Sequence, residues 1–296
     1  MARVHPLILS KPNYMSKSIA ELQKISSQVR RDIVRMVHAV NSGHPGGSLG
    51  CADLFVSLYF KQMQHDPTQW DMNGKNQDLF FLSNGHISPV FYSALARSGY
   101  FPVAELATFR KLNTRLQGHP TTHEHLEGIR IASGSLGQGL SAAIGAASAK
   151  KLNGDNHLVF VLQGDGELQE GQVWEAAMYA AHNKVDNVIG FVDYNGQQID
   201  GSTDQVLSLG NLQAKWEAFG WMVLTTDGND MAALNATIDE AKSKSRNGVP
   251  IMVLMTTAMG KGVDFMEGTH KWHGVAPNDE ELSRALAQLE ETLGDY

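Results

Sequence analysis

Between Lys17 and Val40 apolar residues return every three or four positions: Ile19, Leu22, Ile25, Val29, Ile33, Met36, Val37 and Val40. That period gathers them on one stripe of a helix. The stripe stops at Asn41-Ser42-Gly43, followed by Pro45 and Gly46-Gly47, and a second helix is expected over Ala52–Gln62. Further on, Asp78–Ser83, Leu158–Leu162, Val188–Val192, Trp221–Thr225 and Pro250–Met255 are short apolar runs bounded by turn residues. They are continuous rather than alternating, which suits strands buried on both faces of a parallel sheet. Helical stretches separate them, around Pro89–Arg97, Val103–Leu112 and Ala232–Lys244. Asn278 with Glu281 three residues on predicts a capped last helix reaching Leu293. Strand–helix alternation of this kind predicts a doubly wound α/β fold: a mostly parallel sheet flanked by helices. Without repeat, low-complexity segment or linker, residues 1–296 read as one domain, with 1–16 an N-terminal extension.

Composition narrows the function classes. A net charge of −7 and a pI of about 5.9 argue against nucleic acid as a partner, since a phosphate backbone requires a basic face. Arg30-Arg31 with Arg35 reads as a solvated helix face. The lone Cys51 excludes an internal disulfide and fits a reducing compartment, where it reads as a buried structural thiol. Residues Ile131–Ala149 carry no charge, but their Gly and Ser content indicates a packed helix behind a Gly-rich loop rather than a membrane span. The apolar start, Val4–Leu9, is too short and interrupted for a signal peptide. A soluble, cytoplasmic protein is expected, with no membrane partner.

The candidate chemistry sits at the ends of the runs. Leu158–Leu162 ends in Gly164-Asp165-Gly166, and Val188–Val192 leads to Asn195, thirty positions after Asp165. That spacing equals one strand–helix–strand crossover, which sets a carboxylate and an amide oxygen side by side where open α/β sheets bind ligands. A hard divalent cation holding a diphosphate needs such oxygens. His86 follows the Asp78–Ser83 strand; Asp227-Gly228 follows the fourth, and Lys261, His270 and His273 lie beyond the fifth, so all are expected on one rim. The chain has 12 histidines, several beside Gly or Pro, as in Gly43-His44-Pro45 and Gly118-His119-Pro120. His123 and His125 read as solvated loop residues, and no HExxH or Cys-rich spacing supports zinc.

NSGHPGGSLG, LSNGH, LQGHP, SGSLGQGL, GDGELQEGQVWEA, the Asn195 segment and WHG occur in that order. As a set they closely resemble the amino-terminal, diphosphate-binding part of transketolases, from about residue 17 to 275. The family's pyrimidine-binding and carboxy-terminal domains have no counterpart here. The carboxylic acid that activates the cofactor would therefore belong to another polypeptide, and the chain resembles the N-terminal subunit of a split transketolase.

The resemblance implies thiamine diphosphate and Mg²⁺ as cofactors, with Ca²⁺ or Mn²⁺ able to substitute. It implies that Asp165, Asn195 and the carbonyl of Gln197 hold the metal. Gly164, Gly166, Glu167, His86 and His273 would meet the diphosphate side, and Gly134 and Leu136 the thiazolium and pyrimidine side. His44, His119 and His273 would face the sugar and carry catalysis. The implied reaction moves a two-carbon ketol unit from a ketose, expected as a phosphate in pentose phosphate metabolism, to an aldose. The implied partner is a chain with the remaining domains, two copies of each. Other thiamine diphosphate enzymes share the GDG…N pattern: 2-oxo acid dehydrogenase α chains and deoxyxylulose phosphate synthases. A cofactor-binding subunit without catalysis is a further alternative.

Overall fold

Ser18 opens the first helix, α1 (Ile19–Ala39): its hydroxyl accepts the Glu21 N–H, and the Glu21 carboxylate accepts the Ser18 N–H in return. The expected stripe is its buried face, with Leu22, Val29, Ile33 and Val37 enclosed. The structure, a computed structural model, describes residues 17–296; the extension expected over 1–16 lies outside the described residues.

The Gly-rich segment after α1 is helical, against expectation. Pro45–Gly50 forms α2 and Ala52–Ser57 forms α3, closed by a wider turn over Leu58–Gln62. Pro45 is tolerated at the start because no N–H is needed there. Glycine lets α2 approach its neighbours: a Cβ on Gly46 would lie 2.6 Å from Met259 Cγ.

The apolar runs form one five-stranded sheet. Its strands are β1 (Leu79–Leu82), β2 (Val159–Gly164), β3 (Val188–Tyr194), β6 (Met222–Asp227) and β7 (Ile251–Thr256). Between β3 and β6 a small antiparallel ribbon pairs β4 (Gln197–Gln198) with β5 (Gly201–Ser202). The sheet order is β1-β2-β3-β7-β6, and every neighbouring pair is parallel.

Alternate residues of each strand feed two cores. Phe80, Leu82, Phe160, Leu162, Phe191 and Val253 pack against α1, α3, α4 (Ser88–Arg97), α9 (Met231–Lys244) and α10 (Asp279–Gln288). Val159, Val161, Val188, Val192 and Leu254 face α5 (Gly139–Leu152), α6 (Gly171–His182) and α8 (Leu212–Ala218), which follows the short α7 (Thr203–Leu207). The chain steps from β1 to β3, jumps to the edge as β6, then turns back to insert β7. That reversal puts α9 on the opposite face from α5, α6 and α8, as right-handed crossovers require.

Some expected boundaries shift. Val103–Thr108 is a 3₁₀ segment that stops short of Leu112, and the last helix ends at Gln288 rather than Leu293. The Ala-rich helix is α5, half-buried rather than enclosed: Leu140, Ala143 and Ala147 face the core, while Gly145 and Ala149 are exposed. Arg30 and Arg31 are buried, correcting the solvated face. Arg30 pairs with Asp53 at 2.6 Å and Arg31 with Asp295 at 2.7 Å. Among the described residues no helix is long and apolar enough to cross a membrane.

Candidate functional site

The carboxyl ends of β1, β2 and β3 open into a cavity of about 310 Å³. Parallel register fixes what meets there. Gly164 is level with Asp193, and the Asp165 N–H donates to the Asp193 carbonyl at 3.2 Å, so the β2 turn and the end of β3 stand side by side. Asp165 Oδ1 accepts the N–H of Gly166 at 2.7 Å, and Oδ2 accepts that of Gly196 at 2.6 Å. Asn195 completes the group: Oδ1 accepts the Gln197 N–H at 2.8 Å, and Nδ2 donates to Asp193 at 2.9 Å. The thirty-residue spacing therefore brings Asp165, Asn195 and Gln197 together through α6, as expected.

Sequence reasoning missed Asp193. It is buried at the end of β3, where its carboxylate accepts hydrogen bonds from Thr257, Asn195 and the Cys51 thiol. Two carboxylates thus lie close together. Burial, with Asp193 adding to it, pushes Asp165 up to about 7; burial also raises Asp193. Such a pair favours a cationic ligand. Burial, then the Asp193 charge, raises the Cys51 thiol, so it is inert as a nucleophile.

Glu167 lines the same cavity, yet its carboxylate is engaged within the chain. It accepts Ser83 Oγ, the N–H of Gly137 at 2.7 Å and that of Gly164 at 3.1 Å. Ser83 Oγ also accepts the Gly139 N–H at 3.0 Å, so Glu167 and Ser83 join the β1 end, the β2 turn and the start of α5. This clamp seats Gly134 and Leu136 on the cavity wall.

Four histidines from four loops gather at the cavity. His44 lies 5.1 Å from His86, 5.6 Å from His273 and 6.2 Å from His119, and His86 stacks 5.0 Å from His273 (ring centroids). His44, His86 and His273 line the cavity; His119, exposed, lies beside His44 outside that lining, its ring packed on Gly134. A Cβ on Gly134, whose φ of +135° disfavours a side chain anyway, would lie 3.0 Å from that ring. All four are held below the ordinary histidine pKa, chiefly by burial. For His44, burial, His273, Arg110 and His119 together bring it down to about 4. The set therefore presents neutral imidazoles, each with a donor and an acceptor nitrogen. Nδ1 of His44 and of His273 is buried without a partner.

Arg110, also missed, holds φ at +55° and donates to Ser42 Oγ at 3.2 Å, tying the His44 and His119 loops together. Other rim candidates lie elsewhere. Asp227 accepts the N–H groups of Asn229 and Asp230 in the turn before α9, and Lys261 lines a separate cavity near Arg30 and Asp53. Of the sequence-derived site residues, His44, His86, Gly134, Leu136, Gly164, Asp165, Gly166, Glu167, Asn195, Gln197 and His273 all line the central cavity. Asn84, Gln198, Ile199 and Met259 line it too without having been singled out.

Comparison with known proteins decides the family. Residues 22–294 match the family model described as transketolase, thiamine diphosphate binding domain. The chain belongs to the transketolase family. A 6-deoxy-6-sulfo-D-fructose transketolase subunit of Clostridium sp. (strain MSTE9) is 38% identical over 276 residues, 93% of this chain and 98% of that protein. An apulose-4-phosphate transketolase subunit of Actinobacillus succinogenes is 37% identical over 280 residues, 94% of this chain and 99% of that protein. Among solved structures, a transketolase variant from Pichia stipitis superposes with a TM-score of 0.85 at 33% identity, covering 95% of this chain. This transketolase chain spans 42% of that one, and 43% of the Campylobacter jejuni transketolase, also at TM-score 0.85 and 34% identical.

Proposed function

We propose that this chain is the diphosphate-binding subunit of a two-chain transketolase, which moves a two-carbon ketol unit from a ketose to an aldose. The observation that carries the reading is the convergence, in one cavity, of the Asp165–Asn195 pair with three neutral histidines, a fourth beside them. The residues fit thiamine diphosphate with a hard cation. Among the described residues no three His, Cys, Asp or Glu side chains gather as metal ligands. A cation at Asp165, Asn195 and the Gln197 carbonyl would then complete its shell from diphosphate and water, which suits Mg²⁺ and allows Ca²⁺ or Mn²⁺.

Bound thiamine diphosphate supplies a thiazolium that takes up the electrons of carbon–carbon cleavage. This chain's part is to bind, orient and move protons. The β2 turn around Gly166 would meet the diphosphate, with His86 and His273 donating hydrogen bonds. His44 and His119 face the sugar hydroxyls, and their depressed basicity keeps them able to donate or accept at neutral pH. Leu136 and the exposed Ile199 give the apolar surface that a thiazolium ring packs on.

The relatives named above act on a sulfonated and a phosphorylated sugar. We therefore take the donor to be an anionic ketose, in cytoplasmic carbohydrate metabolism of the pentose phosphate type. Those relatives are subunits matched along nearly their full length, which supports a separate partner; we take that partner to carry the pyrimidine-binding domain, with two copies of each chain. The test is a panel of ketose phosphates, ketose sulfonates and uncharged ketoses offered to the enzyme isolated from its source with Mg²⁺ and thiamine diphosphate. Ketol transfer from an anionic ketose is expected. Decarboxylation of 2-oxo acids without ketol transfer would overturn the reading.

A further inference from the structure

Asn84 occupies the turn between β1 and the 3₁₀ segment Gly85–Ile87, two residues before His86. Its backbone does ordinary turn work: the carbonyl accepts the Ile87 N–H at 3.1 Å. Its side chain does not. Asparagine at the first position of a helical turn normally caps it with the side-chain oxygen, yet here no such cap bond forms. The residue is 1% exposed, and Oδ1 is buried with no partner. Nδ2 lies 3.7 Å from where a Cβ on Gly164 would stand, so the amide rests over the β2 turn beside Asp165. Asn84, Gly164, Asp165 and His86 line the same cavity.

A buried amide oxygen left unpaired is destabilising, and native chains rarely keep one without a use. The side chain before it is committed elsewhere: Ser83 binds Glu167 and the Gly139 N–H. Asn84 carries a donor and an acceptor and no charge. That suits an anion already flanked by carboxylates, where a second acidic group would repel and a neutral donor does not.

We propose that Asn84 is a diphosphate-binding residue, donating Nδ2–H to a phosphoryl oxygen and offering Oδ1 to water around the bound cation. The assignment rests on the thiamine diphosphate reading above and adds a contact to it. It is tested by titrating thiamine diphosphate with Mg²⁺ calorimetrically into the enzyme as isolated, alongside melting of each cofactor-free form. Asn84→Ala should weaken binding by about 10- to 100-fold, the usual cost of losing a hydrogen bond to a charged group. Its cofactor-free melting temperature should equal or exceed wild type, because an unpaired buried oxygen is gone. Asn84→Asp, nearly the same shape but acidic, should bind more weakly still. Wild-type affinity in both variants overturns the assignment. So does a loss of affinity that appears only with a lowered cofactor-free melting temperature, which marks a structural residue. Asp165→Ala separates the two claims. If wild type binds and Asp165→Ala does not, the Asn84 variants judge Asn84 alone; if wild type takes up no cofactor, the functional reading fails and takes this assignment with it.

Discussion

Asp165 is costly in the empty protein, since burial and Asp193 both disfavour its charge. Replacing it should therefore leave the fold intact while removing the ligand. For Asp165→Ala we expect Mg²⁺-dependent thiamine diphosphate affinity to fall by more than about 100-fold, beyond the range typical of outer-shell partners, while the cofactor-free protein still melts cooperatively although the Gly166 and Gly196 N–H groups lose their acceptor. Calorimetric titration and a thermal melt give both numbers; unaltered affinity would remove Asp165 from the site. The histidines should separate chemistry from folding too. His44→Ala or His273→Ala should lower kcat/KM for the donor ketose by about 10²-fold, the usual share of a positioned proton donor. Steady-state kinetics beside a melt would show it, and wild-type kinetics in both variants would make them bystanders. A pH effect follows from His44, held near 4 when folded against about 6.5 when unfolded. Between those values the unfolded chain binds a proton that the folded chain does not, so stability falls as pH drops through the window. Urea unfolding from pH 7 to 4.5 should show a shallower loss in His44→Gln than in wild type. Parallel curves would contradict the burial of a neutral imidazole.

At the scale of elements, Glu167 and Ser83 hold the β1 end, the β2 turn and the start of α5 in one arrangement. Glu167→Ala leaves two N–H groups and a hydroxyl unpaired, so it should lower the melting temperature and cofactor affinity together. Each lost bond to the carboxylate is worth about 1.5–3 kcal/mol. A melt and a titration on the same sample check this; a loss of affinity with an unchanged melt would make Glu167 a direct ligand instead. The elements that frame this clamp were legible because continuous apolar runs mark buried parallel strands, and a thirty-residue crossover aligns Asp165 with Asn195 whatever the details of α6. What escaped was set by partners distant in sequence. α2 is helical because Gly46 and Gly50 press against Met259 and Ala258, more than 200 positions away. Arg31 looked solvated because its carboxylate partner, Asp295, arrives 264 residues later. Asp193 sits beside an apolar run, and only its register with Gly164 turns it toward Asp165. Arg110 and Asn84 lie in turns whose polar residues carry no periodic signal.

For the whole molecule, the sheet explains why the recognised groups serve one end of a cofactor. All but His44, which comes from the turn before α2, stand at the carboxyl ends of β1, β2, β3 and β7 or in the loops beyond, and Leu136 and Ile199 are exposed at the cavity they form. An apolar lip of this kind is suited to being covered. Two relatives matched along nearly their whole length are themselves subunits. The central claim, a ketol transferase completed by a second chain, is tested most directly by one assay. The purified chain, supplied with Mg²⁺, thiamine diphosphate and an anionic ketose–aldose pair, is measured for ketol transfer alone and after addition of the polypeptide that co-purifies with it. The account predicts no transfer from the chain alone and transfer from the mixture. Full activity from this polypeptide by itself would contradict it.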